Sequence, residues 1–421
     1  MNHSHTPNLR LAFSLSLLAV VAGAGAAGCA GSDGDHPLSA RPYDAAGQIA
    51  FNGPGENRKA ALDKPLEVTT KDGDGRITDV TAVDEAGHHL AGELTADGSR
   101  WRSTGPLAAD ARYTVRVATE NGDGAPGVRT LTFETAAGPQ QLKAEFGPQA
   151  GTYGVGQPLT VKLSAPVTAK EGRAAVERAL KVRSKPAVAG AWHWVDDKQL
   201  HYRPKEYWPS GARVTLTGNL TGVRVGKGLY GTATEPLTLT IGDRVEAIAD
   251  AAAHTMTFKR NGKVINTMPI TMGKPGFSTR NGTKVVLEKQ YFVRMRSSTV
   301  GIAAGSSESY DLPVYYATRV TWSGEYVHAA PWSVGSQGWA NVSHGCVGMS
   351  TGNAAWFYEN IRPGDLVTAV NSIGDDMPTF GNGFGDWNMP WDKWRQGSAV
   401  LGGTRDGAAP WDGARLRPQA V

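Results

Sequence analysis

Cysteine is nearly absent: only Cys29 and Cys346 occur in 421 residues. That scarcity excludes a disulfide-stapled scaffold and a cysteine-built zinc module. Charge of one sign is also lacking. A net charge of +4 over this length, with no Lys/Arg block and no aromatic–basic alternation, gives no footprint for nucleic acid. A weakly basic surface suits anionic envelope polymers, as a soft preference. Long apolar runs are missing too, apart from residues 11–27; nothing else approaches the roughly 18 apolar residues of a membrane span. What is abundant is turn chemistry. The 53 Gly and 24 Pro favour β-rich modules over helical ones. Hydrophobic content of 40% and charged content of 19% fit a globular protein. At roughly 150 residues per domain, two or three domains are expected.

The apolar run LAFSLSLLAVVAGAGAA follows Arg10 and ends in small residues, the build of a secretory signal. Its last residues, Ala26-Ala27-Gly28-Cys29, resemble the lipobox of bacterial lipoproteins, although Ala26 stands where leucine makes the stronger match. The expectation is a signal peptide over 1–28 and a lipidated Cys29 opening a flexible linker over 29–47. The protein would then be exported and lipid-anchored to the outer face of the cytoplasmic membrane. The alternative is an ordinary signal cleaved near Ala27, with an incidental cysteine.

Short alternating strands begin near Gln48, punctuated by DG, NG and AG turns. Tyr113 to Ala118 alternates as a half-buried antiparallel strand should. An immunoglobulin-like sandwich is expected over 48–137, and a second over 138–241, with a short helix at Glu171–Leu180. Trp192, Trp194 and Trp208 read as packing rather than as a carbohydrate platform. Asp72-Gly-Asp74-Gly75 lacks the downstream Glu of a calcium loop and reads as a turn. His88 and His89 have no Cys partners, so no metal is expected. A β-dominated domain follows over 242–371. It includes an Asn261-Gly262 hairpin, a helix capped by Ser350 or Thr351 with Trp356, Phe357 and Ile361 facing inward, and a last strand from Leu366 to Val370. Residues 372–421, with Trp387, Trp391 and Trp394, form a short Trp-rich extension expected to pack on that domain or on the preceding sandwich, with the indoles as anchors.

The stretch YVHAAPWSVGSQGWANVSHGCVGMS, Tyr326 to Ser350, carries the chemistry. Once Cys29 is lipidated, Cys346 is the one free cysteine, and an idle thiol is unusual in an exported protein. A thiolate is a strong nucleophile, and an imidazole can take its proton and return it to a leaving amine. His344 stands two residues before Cys346 and His328 eighteen before it. The Gly-, Ser- and Asn-rich span between reads as a long loop that folds back to bring His328 against Cys346. Gly345 lets the backbone approach closely and lets nearby amides face a developing oxyanion. A buried, inert cysteine is the bland alternative. Ser343-His344-Gly345-Cys346 on a Gly-rich loop favours a cysteine acyl-transfer enzyme instead.

These residues, with His328-Ala-Ala-Pro-Trp332-Ser-Val-Gly335, resemble the L,D-transpeptidases of bacterial cell-wall synthesis. The likeness is to the mycobacterial type, with a membrane anchor, Ig-like domains and a catalytic β-domain, and it extends from about residue 140 to 400. It implies a mainly β protein and a peptidoglycan 3→3 cross-linking acyl transfer. Cys346 would be the nucleophile and His328 the base, oriented by the backbone carbonyl of Ala329. The donor is a stem tetrapeptide that loses D-alanine, and the acceptor is an amine of a neighbouring stem. Ser343, His344 and Gly345 would support the loop, with His344 as the alternative base. Tyr310, Ser323 and Gly324 would line the donor pocket, Met295 would belong to a mobile flap, and Trp332 would touch substrate. Gly348 stands where the mycobacterial type has Asn, so a substrate contact is missing or supplied elsewhere. Carbapenems would acylate Cys346. No cofactor is implied, and a monomer is expected. An L,D-carboxypeptidase using water as acceptor, or a non-catalytic wall-binding lipoprotein, are the other readings. The last would be favoured by loss of Cys346 or His328, and both are present.

Overall fold

The computed structural model describes residues 41–54, 58–71, 75–303 and 305–401. The signal segment, Cys29 and Asp72–Asp74 lie outside them. No described helix is long and apolar enough to cross a membrane.

The chain is mainly β. In the first sandwich a five-stranded sheet is centred on Arg112–Glu120 and Pro126–Thr135, and it faces a four-stranded sheet through Glu67–Thr70 and Arg100–Ser103. Alternation along Arg112–Glu120 aims Tyr113, Val115 and Val117 at Val68 and Trp101, all under 4% exposed. The second sandwich packs the Leu159–Leu163, Gln199–Pro204 sheet against the Arg213–Gly218, Leu237–Ile241 sheet. Helix α1 (Lys170–Ala179) forms where helical spacing predicts it. Trp192, Trp194 and Trp208 are core, at 6, 6 and 2% exposure, as their packing reading requires.

The third unit positions the site. A five-stranded sheet runs Lys263–Pro269, Thr255–Arg260, Val245–Asp250, Leu366–Val370, Gly282–Val285. A four-stranded sheet runs Glu288–Arg296, Asp311–Arg319, Tyr326–Ala329, Val347–Met349. Met256, Phe258, Val327, Val347 and Met349 fill the space between them, with Ala354 and Phe357 of helix α2 (Thr351–Asn360). Ser350 caps that helix by accepting from Asn353 N–H at 3.2 Å.

The Trp-rich extension was expected on the catalytic unit or on the preceding sandwich, and it touches both. Asn388 bonds Thr283 of the catalytic unit, donating to its carbonyl at 2.9 Å. Helix α3 (Trp391–Gln396) lies on the second sandwich. Trp394 is fully buried and donates to Ala191 O at 3.0 Å. Arg203 faces the rings of Trp387, Trp391 and Trp394, and buried His201 pairs with Asp386 at 2.7 Å. The short segment has no core of its own, so it borrows one from the nearest sheet.

Candidate active site

His328 is not on a loop. It lies in the strand Tyr326–Ala329, which pairs in parallel with Val347–Met349, so that His328 and Gly348 are register partners. The sequence reading missed these strands because they are only four and three residues long, with Gly, Ser or Pro close by. Cys346 immediately precedes the second strand, so pairing itself brings the imidazole and the thiol to one end of the sheet. Both line one cavity.

His328 is 5% exposed, and its Nδ1 lies 2.8 Å from the carbonyl of Ala329. A carbonyl only accepts, so Nδ1 carries the hydrogen and Nε2 is left as the ring's acceptor. Burial pulls the imidazole below its usual range, against the carbonyl bond, which raises it. Burial likewise pushes the Cys346 thiol up to about 12. The resting thiol and imidazole of this cavity are therefore both neutral. Cys346 Sγ donates to Gly324 O at 3.5 Å.

The loop before the thiol is pinned on several sides. Ser343 Oγ donates to Cys346 O at 2.6 Å and accepts from Gly345 N–H at 3.2 Å, while Gly345 O accepts from Thr279 Oγ1 at 2.9 Å. Gly345 has φ +112°, open to glycine and strained for other residues. Its own amide is engaged by Ser343. His344 Nε2 lies 2.7 Å from Glu308, which also accepts from Lys274 at 2.6 Å, and its ring packs on Phe277 and Tyr310. That bond ties the loop to Glu308 through His344.

The substrate residues named from the sequence fall into two cavities, not one. The first, about 220 Å³, is lined by His328, Cys346, Met295, Tyr310, Trp332 and Gly348, with Leu312 and Val314 beside them. The second, about 650 Å³, is lined by Tyr310, Ser323, Gly324, His344, Arg280 and Asp375 among others. Tyr310 and His344 belong to both and form the shared wall. Burial raises the Tyr310 hydroxyl above its usual range, with Cys346 adding to the effect, so the phenol keeps its proton. A β-carbon on Gly348 would meet Ala330 Cβ at 3.0 Å and Thr271 Cγ2 at 3.1 Å, so the pocket floor is packed against this glycine. Arg280, Glu308, Leu312 and Val314 were not found from the sequence, since none belongs to a motif.

Comparison with known proteins fits this geometry. The bacterial Ig domain family matches residues 57–224, across both sandwiches, and the L,D-transpeptidase catalytic domain family matches 244–368. The chain is 39% identical over 339 residues to L,D-transpeptidase 2 of Mycobacterium tuberculosis, covering 80% of this chain and 81% of that protein. It is 32% identical over 372 residues to L,D-transpeptidase 5 of the same organism, covering 86% and 77%. To L,D-transpeptidase 1 it is 41% identical over 230 residues, covering 54% and 84%. With a cysteine and an oriented histidine on paired strands inside the matched region, this chain belongs to the L,D-transpeptidases.

Proposed function

We propose that Cys346 and His328 carry out a peptidoglycan 3→3 transpeptidation, on a chain exported and anchored through a lipidated Cys29. The observation that carries the reading is the Nδ1–Ala329 O bond, which leaves Nε2 as acceptor in the cavity that also holds the Cys346 thiol. Proton transfer to Nε2 as Sγ attacks avoids a standing charge in the buried site. The donor's third-residue carbonyl becomes a tetrahedral oxyanion, for which the protonated Tyr310 hydroxyl is a donor on the shared wall. His328 then returns the proton to the departing D-alanine amine, leaving a thioester on Cys346. An acceptor amine attacks the thioester, gives its proton to Nε2 and restores the thiol. Ser323 and Gly324, beside the thiol in the polar cavity, take the donor stem; the apolar cavity takes the acceptor.

Intact mass after incubation with a disaccharide-tetrapeptide tests this reading. The expected result is a thioester adduct on the wild type, none on Cys346→Ala, and dimeric product once acceptor is present. Tripeptide alone, with a competent acceptor present, would replace transpeptidation by hydrolysis. Globomycin-sensitive processing and membrane fractionation of wild type against Cys29→Ala test the anchor; equal fractionation would remove it.

A further inference from the structure

Beneath the polar cavity two cations share one carboxylate. Glu325, 6% exposed, accepts from the backbone N–H of Arg280 at 3.1 Å and from its Nη1 at 3.0 Å. Its other oxygen lies 3.2 Å from Lys284 Nζ, which also donates to the carbonyl of Arg280. Lys284 is 1% exposed, so its ammonium serves this cluster and no ligand. One cation is enough to neutralise Glu325, and Lys284 does so from below. Two against one leave a single positive charge in excess, and it falls on the group that reaches the cavity.

That group is Arg280, whose side chain is 37% exposed and lines the cavity wall. Among the described residues its side-chain bonds run through Nη1, to Glu325 and to Ser323 Oγ at 3.3 Å. Nη2 and Nε remain for a ligand. A guanidinium with one nitrogen clamped and the rest of the fork open is pre-organised for a carboxylate, because little side-chain freedom is left to lose. Asp375 and Glu325 are the anions lining this space. Glu325 is covered by its two cations.

We propose that Arg280 is a specificity-determining residue, pairing with a free carboxylate of the peptide that enters the polar cavity. The inference rests on the reading of this cavity as the donor side. The donor's C-terminal carboxylate, which departs with the last residue, has the right chemistry, and so does a side-chain carboxylate on a donor whose third residue carries one.

The test measures thioester formation from donor alone, so that no acceptor step contributes. Three donors are compared: both carboxylates free, the side-chain carboxylate amidated, and the terminal carboxylate amidated. Losing a charge-assisted pair corresponds to about 10- to 100-fold in kcat/KM. Wild type is expected to disfavour one amide by that factor, and the disfavoured donor identifies the carboxylate. Arg280→Gln should bring the ratio to about one, with Arg280→Lys between the two. Iodoacetamide labelling of Cys346 checks that each variant keeps its site. Equal wild-type rates on all donors, or an unchanged ratio in Arg280→Gln, would overturn the proposal while Ser323→Trp still blocks acylation. Acylation that survives Ser323→Trp would overturn the donor reading of the cavity, and the inference with it.

Discussion

The two cavities beside Cys346 share a wall and differ in almost everything else. One is narrow and floored by Met295, Leu312, Val314 and Gly348; the other is about three times larger and carries Arg280, Ser323, Glu325 and Asp375. Strand alternation explains the first. Leu312 and Val314 project from one face of Asp311–Arg319 toward the paired strands that hold His328. The second is walled by turns, Gly273–Asn281 and Thr321–Glu325, where polar backbone is exposed and ionic side chains are tolerated. His328 lines only the apolar side. Cys346, bonded to Gly324 O, is where the two sides meet. That asymmetry suits the proposed acyl transfer, in which a donor peptide and an acceptor amine reach one thiol from different sides.

The largest effect should come from removing the group that serves both sides. His328→Gln should lower acylation and resolution together, by about a thousandfold, the size expected for a positioned base. Stopped-flow acylation and steady-state dimer formation would show it; a loss confined to one half-reaction would separate the steps. The pH profile follows from the depressed imidazole. Nε2 accepts only when neutral, so activity should rise through a value below the ordinary histidine range and stay flat through neutrality. A midpoint above that range would reverse the assignment.

Filling each cavity separately tests their division directly. Ser323→Trp should block thioester formation by about a hundredfold, because the donor stem loses its seat. Leu312→Trp should leave thioester formation largely intact and reduce dimer relative to hydrolysed tripeptide. If both variants slow acylation equally, the cavities are one site and the comparison fails.

A third change lies outside both cavities and separates stability from function. Asp365 is fully buried at the seam with the second sandwich, where Gly154 N–H donates to Pro363 O. Its Oδ2 accepts from Arg362 N–H at 2.8 Å, while Oδ1 has no hydrogen-bond partner among the described residues. Burial raises this carboxyl to about 7. A carboxyl raised on folding favours the native state below its unfolded value and loses that contribution as pH climbs toward the folded one. Stability should therefore fall between about pH 4 and 7. Asp365→Asn should remove that slope and gain on the order of 2–4 kcal/mol at pH 7.5, with acylation unchanged. Denaturant midpoints across pH would check it, and a variant less stable at pH 7.5 would refute it.

Much of this arrangement is legible in the chain, for reasons that differ by residue. Tyr113 to Ala118 shows its strand because one face is wet, and Trp194 shows a core position because its neighbours alternate. Cys346 and Ser343-His344-Gly345 stand out because their chemistry is local to a few residues. The pairing of His328 with Gly348 is hidden, since a three-residue strand, Val347–Met349, has no period to read. Arg280, Lys284 and Glu325 are more than forty residues apart at the extremes, and nothing local marks them as a cluster. The division into two cavities depends on Tyr310 and His344 meeting across the fold, which is a tertiary fact.

The smallest change acts on the wall that both cavities share. Glu308 accepts from Lys274 and His344, tying the segment before Tyr310 to the catalytic loop. Lys274 first, then His344, holds its carboxyl below the usual range. The bridge is thus present at neutral pH and is lost only as pH falls through that lowered value. It lies at the surface, so its contribution is small and screened by salt. Glu308→Gln keeps an acceptor for one donor and removes the charge. It should raise KM for donor and acceptor alike by about 2- to 5-fold, with kcat nearly unchanged, because the wall loosens while Cys346 and His328 keep their strand pairing. Wild type in high salt should move toward the variant. A KM change for one substrate only would mean that Tyr310 and His344 bound a single cavity, and a large loss of kcat would mean that His344 does more than hold the loop.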